Sequence, residues 1–207
     1  MNTPRGVVYI VEDDASFRKS VVRLIQASGF ETEAFESAHS FLTEAVVRSP
    51  GCLLLDVRLP DIDGLSLQQT LLEKGFHLPI IFMTGHGEIP MSVQAMKKGA
   101  VDFLPKPFKP EDLFDALEKA LALNVQDVRK ALEKKKSDAL IDTLTPREKE
   151  VLRWIITGKL NKQIAEVLGT TEKTIRVHRG RVMQKTKVSS VAELVRLAEK
   201  ANLTPAE

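Results

Sequence analysis

Residues Cys52-Leu53-Leu54-Leu55-Asp56 form an unbroken apolar run that stops on a carboxylate. Pro50-Gly51 precedes it and Leu59-Pro60-Asp61 follows. A run this short, apolar at every position and bounded by turn residues, reads as a strand buried on both faces. Such strands belong to parallel sheets covered by helices on both sides. Chemistry in those sheets gathers at the carboxyl ends of the strands, which is where Asp56 stands.

The flanking sequence supplies the other layers. Val7–Val11 is a second apolar run and ends on Glu12, Asp13 and Asp14. A helical pattern follows in Phe17, Val21, Leu24 and Ile25, closed by Gly29. Glu31–Phe35 reads as a weaker, more exposed strand, and Ser37 can cap a helix running to about Val47. After Asp56 come a helix from Gly64 to about Lys74, a strand over Pro79–Thr84 and a loop at Gly85-His86-Gly87. A helix over Pro90–Lys98 ended by Gly99, and a short strand over Val101–Leu104, complete the pattern. Pro110 opens a further helix, with Glu111 and Asp112 well placed in its positive first turn. Five alternations of strand and helix predict an α/β fold, a doubly wound five-stranded parallel sheet. Right-handed crossovers then bring Glu12-Asp13, Asp56, Thr84 and Lys106 to one edge.

Charge decides what that edge can do. Three carboxylates in one place repel and need a cation. An all-oxygen set without histidine or cysteine nearby in sequence suits Mg2+. A carboxylate beside Mg2+ and a lysine can attack a phosphoryl group, because the cations neutralise the transferring oxygens. Thr84 can donate to a phosphoryl oxygen and Lys106 can supply a point charge. Singly, each residue has an ordinary explanation: a turn acid, a β-forming threonine, a loop lysine between Pro105 and Pro107. Together, at the ends of four strands, the ordinary explanation requires four coincidences.

Beyond Pro110 the helical pattern does not stop. Phe114, Leu117, Leu121, Val125, Val128 and Leu132 keep spacings of three and four, and no Gly or Pro interrupts residues 111–145. A long helical linker is expected to about Lys136, ending in Lys134-Lys135-Lys136, with an apolar stripe able to pair with its twin. Then Thr145-Pro146-Arg147-Glu148 is a capping box with proline at the first helical position, opening a helix that ends near Gly158. Asn161 is expected to cap a short helix to Leu168, Gly169-Thr170-Thr171 to turn, and a third helix to run from about Glu172 to Thr186. Ser190 and Glu193 form a second expected capping box, opening a helix to about Lys200. A short helix, a glycine turn and a basic helix make a helix-turn-helix pattern. From Lys173 to Lys187 there are six basic residues, Lys173, Arg176, Arg179, Arg181, Lys185 and Lys187, and no acid. They are expected to face outward while Ile175, Val182 and Met183 face the core, a single-signed face that favours a polyanion.

Composition agrees. Residues 1–124 hold 12 Lys/Arg and 17 Asp/Glu, whereas residues 125–207 hold 18 and 11. A chain of 207 residues with a single cysteine, Cys52, can form no internal disulfide. No apolar stretch approaches a membrane span and the first residues lack a signal-peptide core, so a cytoplasmic location without membrane contact is expected.

In these motifs residues 6–122 resemble the receiver domain of bacterial two-component response regulators. The carriers are Glu12-Asp13-Asp14, the segment from Leu53 to Asp56 and on to Pro60, Asp63-Gly64, Met83-Thr84-Gly85-His86, Gly99-Ala100, and Asp102 through Phe108. The resemblance implies a flavodoxin- and CheY-like fold with Asp56 as phosphoacceptor. It implies Mg2+ ligated by Asp13, Asp56 and the Arg58 backbone carbonyl, with Glu12 acting through water. It also implies a cis Lys106-Pro107 peptide. Thr84 and Phe103 become the switch pair, Arg58 and His86 flank the path of the hydrolytic water, and the face of the helix before Gly99, the last strand and the next helix pairs with another receiver.

Residues 143–200 resemble the four-helix DNA-binding domain of the LuxR/FixJ/NarL class, through Leu144–Leu152, Gly158–Ala165 and Thr174–Arg179. That resemblance implies recognition by residues 172–186 and dimer contacts through the last helix. Arg176 and Val177 fall on base edges, and Lys162, Lys173, Thr174, Arg179 and Arg181 on phosphates. Gly180 departs from the pattern, since relatives often carry a polar or basic residue there. The implied architecture is a receiver over 1–123, a helical linker over 124–142 and a LuxR-type helix-turn-helix domain over 143–207. Its partners would be a sensor histidine kinase, double-stranded promoter DNA, a second copy on phosphorylation, and RNA polymerase. No enzymatic turnover is expected beyond slow self-dephosphorylation. Two rival readings are a phosphatase or phosphotransferase using Asp56 and Mg2+, and a binding module regulated without phosphorylation.

Overall fold

In the computed structural model, which describes residues 5–85 and 95–206, the apolar run becomes the central strand of a parallel sheet. The strands are β1 (Val7–Val11), β2 (Glu31–Phe35), β3 (Gly51–Asp56), β4 (Ile80–Thr84) and β5 (Asp102–Pro105), in the order β2-β1-β3-β4-β5. Every pairing is parallel, with Val11 opposite Leu55, Asp56 opposite Met83 and Thr84 opposite Pro105. Chain order reverses between β1 and β3, which opens a crevice above that pair.

Alternate side chains of each strand build two separate cores. Tyr9, Val11, Leu53, Leu55 and Phe82 pack against α2 (Ala38–Glu44) and α3 (Gly64–Glu73). Val8, Ile10, Leu54, Ile81 and Met83 pack against α1 (Ala15–Ala27) and the first half of α4 (Pro110–Asp142). Leu53, Leu54 and Leu55 are all fully buried, each stabilising the fold by about 1.5–3 kcal/mol. Leu54 and its neighbours can be apolar at every position because both faces of β3 are covered.

The chain divides into two compact units between Val128 and Arg129, and α4 crosses that boundary. In the second unit Ile141 and Leu144 join a core with α5 (Pro146–Ile155), α6 (Asn161–Val167), α7 (Glu172–Thr186) and α8 (Val191–Lys200). Val151, Leu152, Ile164, Ile175, Val182 and Leu194 fill it, all fully buried.

Several boundaries differ from expectation. The helix after Ser37 ends at Glu44, not Val47, because Ala45 is already extended. There the hydroxyl of Tyr9 donates to the Val46 carbonyl and accepts from the Arg48 N–H. The long helix runs on past Lys136 to Asp142, because burial of Ile141 and Leu144 gives its last turn a core to pack on. The last strand is shifted by one residue, to Asp102–Pro105. The helix expected over Pro90–Lys98 falls largely outside the described residues, of which 95–97 are helical.

Candidate functional site

Topology alone brings the acidic residues together. Glu12 and Asp13 follow β1 directly and Asp56 ends the adjacent β3, so all three meet at the strand-order reversal. One carboxylate oxygen from each residue lies within 4.8 Å of the other two. Glu12 and Asp56 are buried, whereas Asp13 is exposed. Asp14 does something else: its carboxylate caps α1, accepting from the N–H groups of Ser16 and Phe17, which hold its carboxyl below the usual range.

Lys106 reaches this cluster from the end of β5. Its N–H donates to the Thr84 carbonyl at 2.6 Å, and Lys106-Pro107 is a cis peptide. Its Nζ lies 2.6 Å from Glu12 Oε2, 2.7 Å from Asp56 Oδ2 and 4.5 Å from the centre of the Phe17 ring. One ammonium thus serves two buried carboxylates. Burial pushes the Glu12 carboxyl up to about 6, against the Lys106 hydrogen bond and with the help of the Asp56 charge. Asp56 Oδ1 accepts from the Arg58 N–H at 3.1 Å.

The donor set fits Mg2+. It is all oxygen, it carries more negative charge than one lysine balances, and Asp13 is exposed to solvent on one side. Lys106 engages Glu12 Oε2 and Asp56 Oδ2, which leaves Glu12 Oε1, Asp56 Oδ1 and the Asp13 carboxylate to ligate or to bind metal-held water.

Thr84 ends β4 beside Asp56 and is buried. Phe103 is partly buried on β5, its ring 6.4 Å from that of Phe82. His86 lies outside the described residues. Gly64 carries more weight than its place in a motif shows. A Cβ there would meet the Asp56 carbonyl oxygen at 2.4 Å, and the Gly64 N–H donates to the Val57 carbonyl at 2.9 Å. Only glycine lets α3 begin so close beneath Asp56. Asn124 was also not foreseen: it is buried, accepts from Gly51 N–H and Ser49 Oγ, and donates to the His77 carbonyl.

The basic helix is α7. Thr171 caps it, accepting from the Thr174 N–H, and the Thr171 and Thr174 hydroxyls are 2.8 Å apart. Lys162, Lys173, Arg176, Val177 and Arg181 are exposed as expected. Arg176 pairs with Glu172 at 3.4 Å on the exposed surface, and two further basic residues are not free in the way the pattern implied. Lys185 Nζ lies 2.6 Å from Oε2 of buried Glu148, so it belongs to the domain's own structure rather than to an outward face. Arg179 donates to Asn161 Oδ1 at 3.0 Å. Asn161 is therefore not the cap of α6. Leu160 holds that position, and its N–H is satisfied by the Gln163 side chain. At α8 the expected box is half formed: Ser190 accepts from the Glu193 N–H, but the Glu193 carboxylate reaches Ser189. The box at Thr145 and Glu148 is complete.

No described helix is long and apolar enough to cross a membrane. A family model described as the response regulator receiver domain matches residues 8–118. A second, of bacterial regulatory proteins of the luxR family, matches residues 142–198. The response regulator protein TmoT of Ectopseudomonas mendocina is 44% identical over 200 residues, spanning 97% of this chain and 91% of TmoT. Among solved structures, response regulator StyR aligns with a TM-score of 0.80 at 44% identity, covering 94% of this chain and 98% of StyR. Full-length FixJ from B. japonicum aligns with a TM-score of 0.60 at 38% identity, covering 97% and 99%.

Proposed function

This chain belongs to the two-component response regulators that join a receiver to a LuxR-type DNA-binding domain, and from that membership we propose that Asp56 is the phosphoacceptor of a partner histidine kinase and that α7 reads promoter DNA. The observation that carries the proposal is Asp56 itself. It is a buried carboxylate at the sheet's switch point, flanked by two further acids and held by Lys106 and the Arg58 N–H.

An Asp56 oxygen forms the new bond to phosphorus as the P–N bond of the donor phosphohistidine breaks. Lys106 balances the charge that arrives, and the Arg58 N–H orients the carboxylate for attack. Bound Mg2+, held by Asp13, Asp56 and the Arg58 carbonyl with Glu12 acting through water, would supply further charge neutralisation on the transferring oxygens. Thr84 turns toward the phosphoryl group and Phe103 moves inward, shifting a pre-existing equilibrium between two receiver states. The receiver then pairs with a second copy and presents two DNA-binding domains to half-sites about one helical turn apart. Residues 1–123 act as receiver, 124–142 as linker and 143–207 as DNA-binding domain. The outcome is promoter activation in the cytoplasm through RNA polymerase, with no catalysis beyond slow self-dephosphorylation.

Incubating the full chain with a small phosphodonor and Mg2+ tests the site by intact mass. One phosphoryl group is expected, absent in Asp56→Asn; a persistent adduct in that variant overturns the assignment. For DNA, Arg176→Ala should erase about 1–3 kcal/mol of discrimination at one base position. A uniform loss on all sequences contradicts base reading.

A further inference from the structure

We infer that Gly180 is a bare notch on the DNA-facing side of α7 that receives the 5-methyl group of a thymine, and so determines one base of the half-site. This rests on the proposed reading of α7 as the recognition helix. Ile175, Val182 and Thr186 turn into the core. On the opposite side lie Lys173, Arg176, Val177, Gly180 and Gln184, all exposed. At about 100° per residue, Gly180 projects between Arg176 and Val177, one turn further along. It stands near the line of the helix farthest from its own core.

A glycine in a helix interior is destabilising relative to alanine, and nothing within the domain requires this one. Its φ is not among the positive values of the chain. A Cβ built on it meets no described atom within 4 Å. Gly64 shows the contrast, its place enforced by the Asp56 carbonyl oxygen at 2.4 Å. What an absent side chain at Gly180 does permit is close approach from outside.

The neighbouring residue indicates what approaches. Val177 is 47% exposed, an apolar side chain on a face otherwise lined by Lys173, Arg176 and Gln184. Among the base edges of the major groove, the thymine methyl is the apolar group. Seated over the Gly180 backbone, it would pack against the Val177 methyls, leaving Arg176 to the adjacent hydrogen-bonding edge. A side chain at residue 180 would occupy that space.

The test uses the full-length chain and the duplex it selects from a random-sequence pool. Each thymine of the half-site is replaced in turn by deoxyuridine, which removes only the methyl group. Affinity is measured for wild type, Gly180→Ala and Arg176→Ala, and thermal unfolding is followed by Trp154 fluorescence. At one thymine per half-site, losing the methyl should weaken wild type about fourfold, the worth of one buried methyl-sized group. Gly180→Ala should lose affinity for the thymine duplex, show no such methyl dependence, and yet unfold at a higher temperature than wild type. The proposal is overturned if Gly180→Ala binds the thymine duplex as tightly as wild type, or if no methyl matters more to wild type than to the variant. Should Arg176→Ala keep the wild-type base preferences, the recognition-helix reading itself fails. If Arg176→Ala loses them while Gly180→Ala behaves as wild type, the notch alone fails.

Discussion

Glu12 in the receiver and Glu148 in the DNA-binding half are both buried, 1% and 2% exposed, and each has a lysine Nζ at 2.6 Å. Their carboxyls are nevertheless displaced in opposite directions. Glu12 is pushed up to about 6 by burial, and its lysine is shared with Asp56, whose own charge raises it further. Glu148 is held below the ordinary range, first by Lys185 and then by the Thr145 N–H at the positive start of α5. The second arrangement is electrostatically closed: one carboxylate, one lysine and one cap. The first is short of positive charge and is therefore open to a second cation or to neutralisation. Like solvent exposure and equal pairing distance thus separate into a structural ion pair and a more deeply desolvated site poised to change charge.

Removing each lysine should break the comparison most visibly. Lys106→Met leaves Glu12 and Asp56 buried without their shared cation, and should cost the receiver about 3–5 kcal/mol, partly restored by Mg2+. Lys185→Met leaves Glu148 its cap, and should cost the other half about 1–3 kcal/mol with no Mg2+ rescue. The sequence holds one Tyr and one Trp, Tyr9 in the first unit and Trp154 in the second, so each transition has its own optical probe. Equal losses, or equal rescue by Mg2+, would erase the distinction.

Titration sharpens it. The Glu12 carboxyl rises in the folded chain from 4.5 to about 6, so the native state binds the proton more tightly than the unfolded state does. Its stabilising contribution is complete below 4.5 and is lost as pH rises through about 6, by about 2 kcal/mol at most. Glu148 has the reverse sign: its contribution is complete above the ordinary carboxyl value and is lost as pH falls below it. Subtracting the pH–stability curves of Glu12→Gln and Glu148→Gln from wild type should give slopes of opposite sign. Slopes of the same sign would contradict the pairing described.

The smallest effect concerns DNA. Lys173 is exposed whereas Lys185 is tied to Glu148. Lys173→Ala should reduce the salt slope of binding by about 1. Lys185→Met should leave it unchanged, and a reduction there would return Lys185 to the DNA-facing set.

The sequence made local and periodic features legible. The buried strand to Asp56, the acids after β1, the cap at Thr145 and the cis peptide before Pro107 follow from runs, spacings and a family pattern. Contacts between distant residues were not legible, because their partners share no local signal. Glu148 and Lys185 are 37 residues apart, Asn161 and Arg179 are 18 apart, and Gly51 and Asn124 are 73 apart. Each takes a residue that local pattern assigned to a cap, a basic face or a linker and gives it a tertiary bond. Helix ends failed for the same reason. Val46 left its helix for the Tyr9 hydroxyl, and α4 lengthened because Ile141 found a core. Gly64 stood in a recognised motif, yet its necessity appears only when the Asp56 carbonyl is placed beneath it.

The central claim is that charge chemistry at Asp56 governs DNA binding through α7. Its most direct test is the affinity of the full-length chain for a selected duplex, with and without a small phosphodonor and Mg2+, in wild type and Asp56→Asn. Phosphodonor should tighten binding by wild type and leave Asp56→Asn unchanged. Equal tightening in both proteins, or none in wild type that carries the phosphoryl group, would contradict it.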